Sequence, residues 1–261
     1  MGCGQHAGSD DQTRTLKLAF GGPAASHHFH YHTSLNGTER AANGSQVPAA
    51  ADYTADAVWQ VLDVDRGGVA TIDQALSNIS PAGQATGQAP HWQFRLTPDG
   101  QVSSTAPPQG ATSTVTVPGS TQFLAILPGH PAKPGDSWRK TVTQAQPAGS
   151  AATSLAARGH FDRYVDLAGR RAAVVSTDAT APFDFTVPVA QPASGRTPAT
   201  TRGLRYQGTL TSRSTTWLDL ATDQVAKVED TVTTDFTETL QDDARGPLRF
   251  TGTYKLELER T

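Results

Sequence analysis

Along most of this chain, apolar positions recur at every second residue. In 248–258, Leu248, Phe250, Tyr254, Leu256 and Leu258 share one parity, and Arg249, Thr251, Thr253, Lys255 and Glu257 take the other. Successive strand residues point to opposite faces, so this pattern predicts a strand with one buried and one wet face. Residues 228–240 repeat it, with Val228, Val232, Phe236 and Leu240 against Glu229, Thr231, Thr233 and Thr237. Phe183, Phe185, Val187 and Val189 alternate with Asp184, Thr186 and Pro188, and Trp92, Phe94 and Leu96 alternate with Gln93 and Arg95. The run 58–64 (VWQVLDV) is apolar on both parities, which predicts a strand covered on both sides or one facing a cavity.

Turn signals separate these runs. Asn36-Gly37 follows an alternating run, and 65–68 (DRGG), 98–100 (PDG) and 166–169 (DLAG) each fall between a pair of strand-like segments. Residues 119–127 (GSTQFLAIL) predict a short helix, and 73–79 (DQALSNI) are ambiguous. Residues 104–111 and 188–202 are rich in Pro, Gly, Ala and Thr and read as loops. Two turn contexts recur: VLDVDRGGVA (61–70) resembles YVDLAGRRAA (164–173), and FRLTPDGQV (94–102) resembles LDLATDQV (218–225). That period is too long for a solenoid unit and suits two similar halves. The expected organisation is a flexible tether over 1–15, an N-terminal β half over 16–128 and a C-terminal β half over 129–261, in one continuous domain. The expected fold is all-β: a large, curved, mostly antiparallel sheet, a half-barrel or open barrel, with the short helix near 119–127.

Composition sharpens this picture. Leu, Ile, Val and Phe supply only 47 of 261 residues, and Thr alone supplies 35. So few large apolar residues would suggest disorder if the charge were extreme, but the net charge is −3. Thr suits the wet face of a sheet. The thin apolar supply leaves little to fill a wide barrel, so an open or ligand-filled interior is expected. The balanced charge argues against a nucleic-acid binder, and no run has the length of a membrane-spanning helix.

The single cysteine, Cys3, excludes a disulfide scaffold. It stands in MGCG, ahead of a polar, small-residue stretch. Position six is His6, so the myristoylation pattern fails. Gly2-Cys3 is what remains when a bacterial lipoprotein signal is cut back, which makes Cys3 a candidate lipid-attachment residue. The alternative is an incidental cysteine in an unstructured N-terminus.

Few constellations carry chemistry. In HHFHYH, His28, His30 and His32 fall on one strand face and Phe29 and Tyr31 on the other. Alternate imidazoles lie about 6.8 Å apart along a strand and can share a zinc ion if further ligands join them. The competing reading is a solvated polar face. Asp63-x-Asp65-x-Gly67 hints at a calcium loop, but its twelfth position is Gln74, so a hairpin turn fits better. No Gly-x-Ser-x-Gly elbow and no phosphate-cradling glycine motif occurs. Trp59, Trp92, Trp138 and Trp217 fall in or beside strands, as core filling or as lining for an apolar ligand.

The order of segments carries a resemblance. An aromatic strand (HHFHYHTSLNG) is followed by the VD-x-x-G turn, then FRLTPDGQV, then LPGHPAKPGDSW, then GTLTSRSTTWLD. This resembles an uncharacterised family of bacterial exported proteins and lipoproteins over roughly 27–240, most specifically at PDG (98–100) and PGDSW (134–138). The architecture is also distantly similar to bacterial lipoprotein carriers with a half-open barrel, which hold acyl chains in the concave face. These likenesses imply an exported, lipid-anchored envelope protein without catalytic residues or cofactor. Such a protein would bind a lipid or other apolar molecule through Phe29, Tyr31, Trp59, Trp92 and Phe94. The alternatives are a surface-displayed interaction module with a filled core, working through its Thr-rich face, and a metal-binding module using the His run.

Overall fold

The structure is a computed structural model. It describes residues 13–80, 91–105, 125–144, 153–191, 200–241 and 246–261. Long strands alternate between buried and exposed positions, as the period-two pattern requires: β2 (Ser26–Ala41), β3 (Gln46–Val64), β4 (Ala70–Ser80), β12 (Gln224–Leu240) and β13 (Leu248–Arg260). With β5 (His91–Leu96), β6 (Val102–Thr105), β8 (Ser137–Gln144), β9 (Thr153–Leu167), β10 (Arg170–Gln191) and β11 (Thr200–Asp219), they form one 11-stranded sheet. A second, two-stranded sheet pairs β1 (Arg14–Thr15) with β7 (Pro131–Ala132).

The order in the large sheet is β6-β5-β4-β3-β2-β13-β12-β11-β10-β9-β8, and every ladder is antiparallel. The chain meanders from β2 outward to the β6 edge, crosses to the β8 edge, and meanders back until β13 lies beside β2. The seam runs from Leu248↔Ala41 to Arg260↔Phe29. One apolar cluster spans strands on both sides of this seam, from Trp59, Ile72 and Phe94 to Phe161, Val175 and Phe183. The segments before and after 128 therefore share one core.

The two edges come together at the base of the sheet. Asp99, in the β5–β6 turn, and Lys140, in β8, form an ion pair at 2.8 Å. Residues 125–127 are fully buried between them. Leu127 donates its N–H to the Asp99 carbonyl (2.9 Å), Ile126 donates to Thr177 Oγ1 (3.1 Å), and Trp138 Nε1 donates to the Ile126 carbonyl (2.7 Å). The N-terminal segment closes the same end: Leu18 donates to the Pro98 carbonyl and Ala19 to the Asp223 carbonyl, both at 2.7 Å. Among the described pairings, β6 and β8 share no ladder, so the sheet is not closed into a barrel.

Several local expectations change. Asn36-Gly37 is not a turn; it lies inside β2, and the turn is at 42–45, where Gly44 has φ 84°. Gly37 serves packing instead, since a Cβ there would stand 2.7 Å from the Phe250 ring. Among the described residues there is no helix. Residues 125–127 of the expected helix have no regular structure, because their backbone groups bond outward to the turn and to β10; 119–124 lie outside the described residues. The ambiguous 73–79 segment is strand, in β4. The expected loop at 188–202 is strand up to Gln191 and again from Thr200. Pro182 and Pro188 fit in β10 because the described ladder with β9 stops at Thr180, so among the described pairings neither takes part in it. Arg14 and Thr15, at the end of the expected tether, are held by β7, and Arg14 pairs with Asp223 at 3.0 Å. In the doubly apolar run at 58–64, Trp59 and Val61 are buried, but Leu62 points outward and is 43% exposed.

Candidate functional site

The inner face of the sheet divides into three zones from base to tip. The base is aromatic and filled. Phe29 packs on Trp59 with ring centroids 4.7 Å apart, and Trp59 meets Phe94 edge-on at 5.5 Å. Trp59 Nε1 donates to Gln74 Oε1 at 2.7 Å, which satisfies the indole inside the core. All three rings are buried. Four of the five aromatics expected to line a ligand, Phe29, Tyr31, Trp59 and Phe94, thus share the inner face with one another. Trp92 stands opposite Gln74 in the β4–β5 ladder, and its side chain lies outside the described residues.

Above the base lies a polar band. Thr33 on β2, Thr177 on β10, Ser212, Ser214 and Thr216 on β11, and Asp230 and Thr234 on β12 are all buried, on the inner parity of their strands. Asp230 is the charged member, only 7% exposed. Ser212 Oγ donates to its Oδ1 at 2.9 Å. Burial pushes its carboxyl up to about 6, although hydrogen bonds from Ser212 and the Thr231 backbone oppose the shift. Beside the band, the Tyr31 and Tyr254 hydroxyls are 3.1 Å apart. Burial, reinforced by Tyr254 and Tyr53, raises the Tyr31 phenol well above its ordinary value.

Toward the tip runs a strip of five rings from four strands. Phe183 contacts Phe185 (5.8 Å) and Phe236 (5.9 Å), Phe185 contacts Tyr206 (5.4 Å), Tyr206 contacts Phe236 (5.8 Å), and Phe236 contacts Phe250 (5.1 Å). Glycines make room for them. A Cβ on Gly208 would come within 2.5 Å of the Phe236 Cβ, and one on Gly252 within 2.6 Å of the Phe250 ring. Phe185 and Tyr206 are half-buried, and the other three rings are buried. Burial, then the adjacent Glu238, pushes the Tyr206 phenol up to about 12.

The sequence showed each of these rings on an alternating run, but only the register brings them together. Asp230 carried a signal too: it stands on the same parity as Val228, Val232 and Phe236.

The histidine run lies on the opposite, outer face. His28 and His30 are exposed, and His32 is half-buried. Each engages a separate neighbour: Ser26 for His28, Asp56 for His30 at 4.0 Å, and Asp52 (3.3 Å) and Glu257 (3.9 Å) for His32. Among the described residues no group of three or more His, Cys, Asp or Glu is placed to hold a metal ion. Next to them an open hollow of about 710 Å³ is lined by Ser34, Asn36, Ala50, Asp52, Thr253 and Lys255.

A second outer-face network joins Ser137 Oγ to His160 Nδ1 at 2.8 Å, with His160 Nε2 3.6 Å from Asp162. That last separation is too long for a hydrogen bond, and Ser176 already donates to the same carboxylate. The trio forms a network on the strand surface. Cys3 lies outside the described residues.

Comparison with protein-family models gives no match, and neither does comparison with curated proteins.

Proposed function

We propose that this protein is a non-enzymatic, lipid-anchored component of the bacterial envelope that holds a hydrophobic or amphipathic molecule against the inner face of its sheet. The observation that carries this reading is the aromatic strip of Phe183, Phe185, Tyr206, Phe236 and Phe250, continuous over four strands and seated on glycines. A ligand site is typically concave and apolar, with a few polar groups to fix orientation. The strip and the polar band below it have that composition. The anchor rests on Cys3 ahead of a polar stretch and on the resemblance to exported lipoproteins.

A fluorescent fatty-acid probe titrated into the full-length protein tests the binding. Saturable binding is expected, weakened about tenfold in Phe185→Ser/Tyr206→Ser, since each half-buried ring contributes on the order of 1 kcal/mol or more of contact. No saturable binding by the wild type, or unchanged affinity in the double variant, overturns the reading. Metabolic acyl labelling that is lost in Cys3→Ala tests the anchor; labelling that persists refutes it.

A second reading has its own observation. Thr180, Thr211, Thr233, Thr253 and Asn36 stand in register on five adjacent strands of the outer face, and Asn36 and Thr253 also line the outer hollow. A polar row of this kind suits an interaction surface, and a wild type that binds no apolar probe would favour it.

A further inference from the structure

A buried carboxylate without a cation is costly unless something else compensates it. Asp230 is such a group. Its partners are the Ser212 hydroxyl and the Thr231 backbone N–H. Among the described residues it forms no ion pair: the cross-strand neighbours are Ser214 on β11 and Leu256 on β13. A carboxylate offers about four lone-pair sites, so it can accept from more donors than these two. Asparagine would keep the Ser212 bond without the charge, so local structure alone does not account for an aspartate here.

We propose that Asp230 anchors the head group of the bound amphiphile, and that this head is a hydrogen-bond donor, an ammonium or a sugar hydroxyl, rather than a phosphate or carboxylate. The proposal rests on the carrier reading and adds the class of ligand to it.

Three features of the inner face support it. First, the inner positions around Asp230 are polar: Thr33 on β2 and Ser212 and Ser214 on β11 share its buried band. A polar band within an otherwise apolar face suits a head group better than a tail. Second, the inner positions from Asp230 to Glu238, with their cross-strand partners on β2, β10, β11 and β13, include no Lys or Arg. At the far end stand Glu39 and Glu238, so both ends of the face are acidic. An anionic head would meet repulsion without a cation to offset it. Third, the distance suits an acyl chain. Asp230 and Phe236 share one face of β12 six residues apart, about 20 Å at the rise of a strand. Val232 and Thr234 lie between them on that face, buried. A head at Asp230 therefore sets its tail along the strip.

The test compares three probes with the same dodecyl chain, dodecylammonium, dodecyl maltoside and dodecyl phosphate, each below its micelle concentration and titrated by calorimetry into full-length protein. The expected result is that the ammonium or the maltoside binds about tenfold or more tightly than the phosphate, and that Asp230→Asn removes this preference. A preferred ammonium identifies ion pairing, and a preferred maltoside identifies hydroxyl recognition. Ser212→Ala, which frees the bonded oxygen, serves if Asp230→Asn does not fold; it should shift the preference, and an unchanged preference overturns the proposal. Equal binding of the three heads, still weakened by Phe185→Ser/Tyr206→Ser, overturns the head-group anchor and leaves the carrier reading standing. No binding of any probe overturns both.

Discussion

Replacing Asp230 by asparagine should make the protein more stable at neutral pH, and by an amount that depends on pH. In the unfolded chain the carboxyl titrates at 3.8, and in the fold burial pushes it up to about 6. Folding therefore favours the protonated form. Below the unfolded value both states are protonated and Asp230 carries no ionisation penalty. As pH rises through the folded value the penalty grows to its full size, because the fold must then hold a buried charge. A rise from 3.8 to about 6, at about 1.36 kcal/mol for each pH unit, puts this penalty at about 3 kcal/mol. Asn keeps an oxygen for Ser212 Oγ and cannot ionise. The assay is urea unfolding of wild type and Asp230→Asn, followed by tryptophan fluorescence, at several values between about pH 4 and pH 7.5. The gain should be near zero at the acid end and reach about 2–3 kcal/mol at pH 7.5, with most of the change between about pH 4 and 6.5. A difference that is flat across this range, or a variant that loses stability relative to wild type as pH rises, would refute the account of Asp230 as an uncompensated buried charge.

Other substitutions test how the base is closed. Gly100→Ala should cost about 2–4 kcal/mol, because Gly100 has φ 89° and a Cβ there would stand 1.7 Å from the Ala125 carbonyl oxygen; thermal unfolding measures it. Trp138→Phe removes the donor to the buried Ile126 carbonyl and should cost about 1–3 kcal/mol by chemical denaturation. Burial alone would raise the Asp99 carboxyl, but hydrogen bonds from Lys140, Thr97 and Gln101 outweigh it and hold it below the usual carboxylate range. The stability from that pairing is present above the unfolded pKa and lost as pH falls through the folded one. Lys140→Met should then cost about 1–2 kcal/mol at pH 7 and less in strong acid, read from pH-dependent unfolding.

The alternation of residues and the chemistry of the turns were local signals, and local signals survived. Turns at the base, at 65–68, 98–100 and 166–169, stand where Gly and Asp announced them, because a positive φ or an Asx bond is a property of a few adjacent residues. Asn36-Gly37 carried the same announcement and failed. The Phe250 ring from β13 lies over Gly37, and a glycine that makes room for a ring is indistinguishable in sequence from one that makes a turn. Likewise Pro188 opened the expected loop at 188–202, yet it lies in β10, beyond Thr180, where the described ladder with β9 ends.

By itself, then, the sequence determined that this is a β protein and which face of each strand is apolar. These follow from a period of two residues and need no knowledge of neighbours. Tertiary structure alone decided that β13 lies against β2, that Asp99 and Lys140 draw the two edges together, and that Phe183, Phe185, Tyr206, Phe236 and Phe250 form one strip. It also joined Thr177, Ser212, Ser214, Asp230 and Thr234 into one buried polar band. Pairing joins residues as far apart as Phe29 and Arg260, and register across such distances is fixed by the packing of whole faces, which no short window of sequence contains.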